Sequence, residues 1–483
     1  MERAGSLQET GTEGSVRASG AGGGQMFRRA AWDVRKATRG GADTVELRQR
    51  TRLAALVAFA KERSPFYRER YRHLPARAVD LASLPPVTKP ELMGSFKEWI
   101  TDSEISIESL TDFVSEESRI GSLYLGRYVA FATSGTTGRP AVFVHDPGAA
   151  SVYLALAAWR RCLALLSPRG AWAALRMGGR SAAIVATGGH FASSVIDGLS
   201  RKRFPRLVGR NRTLSLLAPL PDLVRELNAY RPAILGSYPT AMAVLADEQE
   251  RGSLRISPQV VLTGAERLSP AVRDRIASAF RCPVRDTYAA SEFPGIAYDC
   301  DHGILHVNAD WLVLEPVDRE YRPVPPGTPS YTTLLTNLAN RVQPVVRYDL
   351  GDSVTMVPGP CPCGSPLPAV KVEGRKDEVL RIRSSRGGTV SLLPMALATV
   401  VEEAPGVGSY QLIQTGPSRL RLRLAEATGY DRSRTAAGVS ERLHRFLASQ
   451  GLEEVVVEVT EERPVRDSGG GKLRQIYADL QPR

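Results

Sequence analysis

Thr133-Ser134-Gly135-Thr136-Thr137-Gly138-Arg139-Pro140 is the stretch whose residue types are best suited to chemistry. So dense a run of hydroxyl and glycine residues does not build a core helix or strand. It can present hydroxyls and uncovered backbone N–H groups to a polyanion, because glycine lets the backbone approach closely. Tyr128-Val129-Ala130-Phe131 precede it and Ala141-Val142-Phe143-Val144 follow, which reads as strand, loop, strand. A Walker loop would end in Gly-Lys-Ser/Thr and open a helix, and this loop does neither. The plain alternative is a polar hairpin turn. Three further stretches carry a carboxylate just beyond an apolar run: Gly264-Ala265-Glu266, Tyr288-Ala289-Ala290-Ser291-Glu292 and Arg347-Tyr348-Asp349-Leu350-Gly351-Asp352. At the carboxyl ends of strands in an α/β sheet, such groups can reach a metal or ribose hydroxyls. Taken singly, each is more simply a solvated loop acid.

Thiols and imidazoles supply a second constellation. Cys361-Pro362-Cys363-Gly364 pairs with Cys300 and His306, a set able to complete a tetrahedral zinc site that pins two long loops together. His302 competes with His306 for the fourth position, and reduced surface thiols without metal are the alternative. Cys162 and Cys282 read as core residues. Five cysteines, irregularly placed, argue against a disulfide framework and for a reducing, cytoplasmic setting. Near the end, Gly469-Gly470-Gly471-Lys472 places a cation on a glycine-rich segment. By itself that is a flexible, solvated charge.

The elements that must position these groups alternate. Leu53, Leu56, Val57 and Ala60 recur at helical spacing, and Ser64-Pro65 stops that helix. A helix is expected from Ala149 to Leu166, and strands at Ala171–Leu175, Ala182–Ala186, Leu214–Ala218, Ala233–Gly236, Val260–Thr263 and Val284–Tyr288. Helices over Asp222–Tyr230, Thr240–Glu250 and from Ser269-Pro270 to Phe280 separate them, which implies a largely parallel sheet covered on both faces. The expected architecture is α/β. A large N-terminal domain (26–374) holds mainly parallel sheet covered by helices, with a β-rich subdomain from about 300 to 374. A small, mobile α+β C-terminal domain (375–483) follows, with a hinge near Arg375 to Asp377. Residues 1–25, rich in Gly, Ser and Glu, read as a disordered tail. No run of eighteen apolar residues and no hydrophobic signal region are present, so neither a membrane span nor secretion is expected. The formal charge of +12 favours anionic ligands, but no recognition motif points to nucleic acid.

In their order, these motifs resemble the adenylate-forming superfamily from the central loop to near the C-terminus. The resemblance is closest to the phenylacetate–CoA ligase-like branch, whose N-terminal region is similar to Ala60-Lys61-Glu62-Arg63-Ser64-Pro65-Phe66-Tyr67 and Leu84-Pro85-Pro86-Val87-Thr88-Lys89. The resemblance implies that Thr133, Ser134, Gly135, Thr136, Thr137 and Gly138 form the loop cradling the β- and γ-phosphates of ATP. Gly264, Ala265 and Glu266 would belong to the nucleotide pocket, and Tyr288 would stack on adenine. Ser291 would touch the α-phosphate, Glu292 would hold Mg²⁺, and Asp352 with Arg375 would bind the ribose. Lys472 matches the branch's catalytic lysine, a role that suits a mobile cation reaching charge that develops between carboxylate and α-phosphate. His190, following a strand, and Gly236-Ser237-Tyr238 would border the acyl pocket, whereas His145, His73 and His444 read as structural. Similar Cys/His clusters occur in this branch, which supports the zinc set.

The implied reaction joins a carboxylic acid, aryl or otherwise hydrophobic, to AMP and passes the acyl group to CoA. An amine or a carrier-protein thiol is the alternative acceptor, and a non-catalytic nucleotide-binding relative is the rival class. A homodimer is the default assembly. The basic run Arg201-Lys202-Arg203 to Arg212 reads as a solvated face, or else as a dock for the CoA 3′-phosphate or an acidic carrier. Departures concern the acceptor most. Ala141 stands where a lysine is usual, the second motif reads Tyr-Ala-Ala-Ser-Glu, Asp349-Leu350 replaces Arg-Thr, and Ser384-Ser385-Arg386-Gly387-Gly388 lies where CoA would approach.

Overall fold

The computed structural model describes residues 18–73, 81–132, 141–162, 176, 178–186, 195, 198–199, 210–373, 379–385, 387–427, 429–465 and 474–480. Helix α1 (Ala18–Arg39) begins inside the segment expected to be a disordered tail. The reason is tertiary: Ala30, Ala31 and Val34 are buried in one core with Ala149, Val152 and Tyr153, which composition alone does not reveal. Helix α2 (Gly41–Arg63) buries Leu53, Leu56, Val57 and Ala60, the stripe read from spacing. Ser64 ends it and caps α3 (Pro65–Arg70), its hydroxyl accepting from the Tyr67 N–H with Pro65 at the first turn. Helices α4 (Lys89–Gly94), α5 (Phe96–Trp99) and α6 (Ile107–Ser115) complete the N-terminal layer.

A two-stranded antiparallel hairpin, β1 (Val129–Ala132) with β2 (Val142–His145), flanks residues 133–140. Helix α7 (Pro147–Leu156), capped by the Asp146 carboxylate, continues in π-helical geometry over Ala157–Cys162. The strand expected at Ala171–Leu175 and the hinge lie outside the described residues. Next come β3 (Ser181–Val185), β4 (Asn211–Ser215), α8 (Leu220–Tyr230), β5 (Ile234–Gly236), α9 (Pro239–Glu250), β6 (Val260–Gly264), α10 (Pro270–Phe280) and β7 (Val284–Ala290). They alternate as their periodicities predict. Strands β8 (Phe293–Asp299), β9 (Leu305–Val307), β10 (Leu312–Val317), β11 (Thr332–Asn337), β12 (Tyr348–Asp349), β13 (Val354–Val357) and β14 (Ala369–Val372) follow.

Nine of these strands form one sheet, in the order β13-β14-β9-β8-β7-β6-β5-β3-β4. The pairs from β4 through β7 are parallel, and those from β7 outward to β13 are antiparallel. The β-rich stretch is therefore divided. Part of it extends the main sheet, while β10-β11-β12 form a separate three-stranded sheet.

Beyond residue 378, β15 (Leu380–Arg383) and β16 (Thr389–Leu392) form a hairpin. Helix α11 (Pro394–Glu402), β17 (Val407–Gly416), β18 (Arg419–Glu426), α12 (Arg432–Ser449), β19 (Val456–Thr460) and β20 (Ile476–Ala478) build an α+β unit on a four-stranded sheet. Leu397, Val400, Leu412 and Leu443 from this unit share an apolar cluster with Leu216, Leu223 and Leu245. Across the same seam the Gln450 amide donates to the Leu217 carbonyl at 2.8 Å.

Candidate active site and metal centre

The N-terminal stretches around Tyr67 and Val87 have a clear physical task. Val87 pairs with Tyr348: its N–H donates to the Arg347 carbonyl at 3.0 Å, and its carbonyl accepts from Asp349 N–H at 2.9 Å. The Tyr67 hydroxyl and the Trp99 indole N–H both donate to the Pro344 carbonyl, at 3.2 and 2.6 Å. Arg347, buried and at φ 48°, is ion-paired to Glu315 and donates to the Leu84 carbonyl. The turn leading to Asp352 is thus braced by residues more than 240 positions away. Aromatic and charged side chains do this because few local contacts stabilise an irregular turn.

Around that turn two of the three acidic motifs converge. Strand β7 runs through Tyr288 to Ala290 and pairs Ala290 with Phe293, so the hairpin turn itself is only Ser291-Glu292. Tyr288 therefore lies within a strand rather than on a turn. Its hydroxyl donates to the Asp352 carboxylate at 2.9 Å, and burial beside that carboxylate pushes it well above the usual tyrosine range. Glu292 is 6% exposed. Burial raises its carboxyl, against a hydrogen bond from the Tyr348 hydroxyl and the nearby Lys89 ammonium. The Ser291 hydroxyl reaches the carbonyl of Ala132, the last residue of β1, at 3.4 Å. That puts Ser291 at the root of the glycine-rich loop.

Ala265 takes φ 65° just past β6, a backbone region non-glycine residues seldom adopt and one that often marks a functional turn. Gly264 beside it lies so close to β7 that an added Cβ would stand 3.0 Å from the Thr287 carbonyl. Glu266 turns elsewhere: its carboxylate accepts from the Thr240 N–H and hydroxyl at 2.8 to 3.0 Å, capping α9. The Ser237 hydroxyl donates to the Ile184 carbonyl at 2.7 Å, and the Tyr238 hydroxyl accepts from Ala186 N–H at 3.2 Å. Gly236-Ser237-Tyr238 therefore sits at the carboxyl end of β5, against that of β3. Thr133, Ser134, Gly135, Thr136, Thr137, Gly138, His190, Arg375 and Lys472 lie outside the described residues.

The second constellation closes as the chemistry of its donors requires. The ligand atoms of Cys300, His306, Cys361 and Cys363 all lie within 4.8 Å of one another. Cys300 and Cys361 sulfurs are 3.8 Å apart, and Cys363 Sγ is 3.3 Å from His306 Nε2. Zn–S bonds of about 2.3 Å at tetrahedral angles separate two sulfurs by about 3.8 Å. His306 Nδ1 is 3.0 Å from the Leu367 carbonyl, so Nδ1 carries the proton and Nε2 turns its lone pair to the cluster. His302 is not part of it. Cys282 stands apart, half-buried, and burial pushes its thiol up to about 11.

No family model matches the chain. The phenylacetate-coenzyme A ligase of Thermus thermophilus is 24% identical over 423 residues, 85% of each chain. A solved 2-hydroxyisobutyryl-CoA ligase, in complex with 2-HIB-AMP and CoA in the thioesterification state, shares the fold with a TM-score of 0.57. It is 21% identical over 92% of each chain. The same enzyme in its postadenylation state with 2-HIB-AMP gives a TM-score of 0.52 at 20% identity, covering 92% of this chain and 91% of that one. The chain is thus similar in sequence to a phenylacetate-coenzyme A ligase and in fold to 2-hydroxyisobutyryl-CoA ligase.

Around Ser291-Glu292 sequence reading missed several residues. Lys89 and Tyr348 face the Glu292 carboxyl; both lie in stretches singled out in the sequence, but neither was given a role there. His145, read as a structural histidine, is 2.9 Å through Nε2 from the Ser291 carbonyl, and Asn337 donates to the Glu292 carbonyl at 2.8 Å. A signal for this was His145 itself, a polar residue closing an apolar strand run.

Proposed function

We propose that the chain is an ATP-dependent, AMP-forming ligase that activates a small carboxylic acid, aryl or otherwise hydrophobic, and transfers the acyl group to the CoA thiol. The observation that carries this reading is the single corner formed by Ser291, Glu292, Tyr288 and Asp352, joined at the root of the glycine-rich loop. The acid's carboxylate oxygen attacks the α-phosphorus, the bond to the β-phosphate oxygen breaks, and pyrophosphate leaves. The CoA sulfur then attacks the acyl carbon and AMP departs. Ser291 is suited to hold the α-phosphate, and Asp352, oriented by Tyr288, to hold the ribose. Gly264 and Ala265 line the nucleotide side; Gly236, Ser237, Tyr238 and His190 belong to the acyl side. Lys472, on the small C-terminal domain (375–483), would neutralise charge during adenylation and then withdraw with that domain.

Glu292, a buried carboxylate, suits a hard cation, and Mg²⁺ bound there supplies positive charge to the phosphates. The four Cys/His donors fit Zn²⁺ in a closed structural site. No helix among the described residues is long and apolar enough to cross a membrane. Acid-dependent ATP–pyrophosphate exchange across aryl, cinnamoyl and medium-chain acids tests the first half-reaction. Exchange with at least one acid is expected; none with any acid overturns the reading. Adding CoA, an amine or a carrier-protein thiol to the productive mixture then identifies the acceptor.

A further inference from the structure

His145, Tyr153 and Asn337 come from three different elements, β2, α7 and the end of β11, and meet in a buried knot behind the Ser291-Glu292 turn. They are 1%, 8% and 0% exposed. Their hydrogen-bond directions follow from which groups can donate. The Asn337 carbonyl oxygen accepts from the backbone N–H groups of Ala339 and Asn340 at 3.0 and 3.2 Å, which fixes the amide's orientation. Its NH₂ therefore faces the other way, donating to the Glu292 carbonyl and to the Tyr153 oxygen, each at 2.8 Å. The Ser291 carbonyl can only accept, so His145 carries its proton on Nε2, 2.9 Å away. Nδ1 is then an acceptor, and the Tyr153 hydroxyl donates to it at 3.0 Å.

The ring closes. Ser291 carbonyl, His145, Tyr153, Asn337 and Glu292 carbonyl form one circuit in which every proton has a single assigned place. Neighbouring amides extend it. Asn340 donates to the Val144 carbonyl at 2.9 Å, and Gln343 accepts from Val144 N–H at 2.7 Å. Strand β2 is thereby tied to the same knot.

We propose that His145, Tyr153 and Asn337 act as a positioning clamp that holds the Ser291-Glu292 turn in register with β2 for adenylation. The clamp rests on the proposed function, since it acts through Ser291 and Glu292 and touches no substrate itself. Two adjacent carbonyls held from opposite ends cannot rotate independently, so the Glu292 carboxylate and the Ser291 hydroxyl keep a fixed relation. The flanking strands by themselves fix only Ala290 and Phe293.

The test is the Mg²⁺ dependence of acid-dependent pyrophosphate exchange. Tyr153→Phe opens the circuit while keeping the ring packed on Phe293 at 4.9 Å between centroids. It should raise the Mg²⁺ concentration for half-maximal exchange, or lower the exchange rate, by about 10- to 100-fold, the usual cost of losing a residue that orients a ligand. His145→Gln can donate from its amide nitrogen and accept at its oxygen, so it should retain most activity where His145→Leu does not. Tyr410→Phe, which removes a buried hydroxyl from the C-terminal unit, should leave Mg²⁺ dependence unchanged. Unaltered Mg²⁺ dependence and rate in Tyr153→Phe, in a wild type that exchanges, overturns the clamp alone. A wild type silent with every acid removes the adenylation reading, and the clamp with it.

Discussion

Acidification should destabilise this protein through His145 in particular, and the effect can be sized. Burial pushes its imidazole down from 6.5 to about 4, against a hydrogen bond with the Ser291 carbonyl. Between those values the unfolded chain binds a proton that the native chain refuses, so stability falls as pH falls through the window. The contribution is fully present above pH 6.5. The linkage works out to about 2 kcal/mol lost between pH 7 and pH 5, and about 3 kcal/mol once pH drops below 4. Other groups titrate too: burial raises the Asp299 carboxyl to about 6, which acts in the opposite sense. The comparison is therefore with His145→Gln, in which those groups remain and only the imidazole is gone. Urea unfolding of both proteins at pH 7 and pH 5 should show wild-type stability falling by about 2 kcal/mol more than the variant's. Parallel pH dependences would mean that His145 is protonated in the native state, and the assigned circuit would be wrong.

Purified protein should carry about one zinc per chain, and a chelator should lower its thermal midpoint before activity declines, because no coordination position is left open for substrate. Elemental analysis without zinc in protein never exposed to chelators would end that idea; Cys361→Ser should mimic chelation. Glu292→Gln, keeping volume but losing charge, should shift the Mg²⁺ requirement for exchange steeply upward with little change in folding. An unmoved requirement would take Glu292 out of the site. Lys472→Ala should slow adenylate formation by about 10²- to 10³-fold while sparing acyl transfer from supplied acyl-adenylate. Equal loss of both half-reactions would make Lys472 structural.

What the sequence determined by itself is what near neighbours decide. The α2 stripe, the Ser64-Pro65 stop, the Ser269 cap and the strand–helix alternation from residue 211 to 290 depend on spacing and capping within a few positions, and these are found. The four-ligand Cys/His set was legible because thiols and imidazoles are rare enough for their spacing to carry meaning. The choice of His306 over His302 needed the pairing of β9 with β14, which sets Leu305 and His306 against Val370 and Ala369. The packing of α1 through Ala30, Ala31 and Val34 and the sharing of β strands between two sheets likewise came from partners far along the chain. Polar residues gave the least warning. Glu266 had the look of a nucleotide contact and caps α9; His145 had the look of a core residue and faces Ser291 across 146 positions. A buried polar group must find a partner, but the sequence does not name which one. Strand order and the close meeting of β2, α7 and β11 make that choice, and they exist only once the chain has folded.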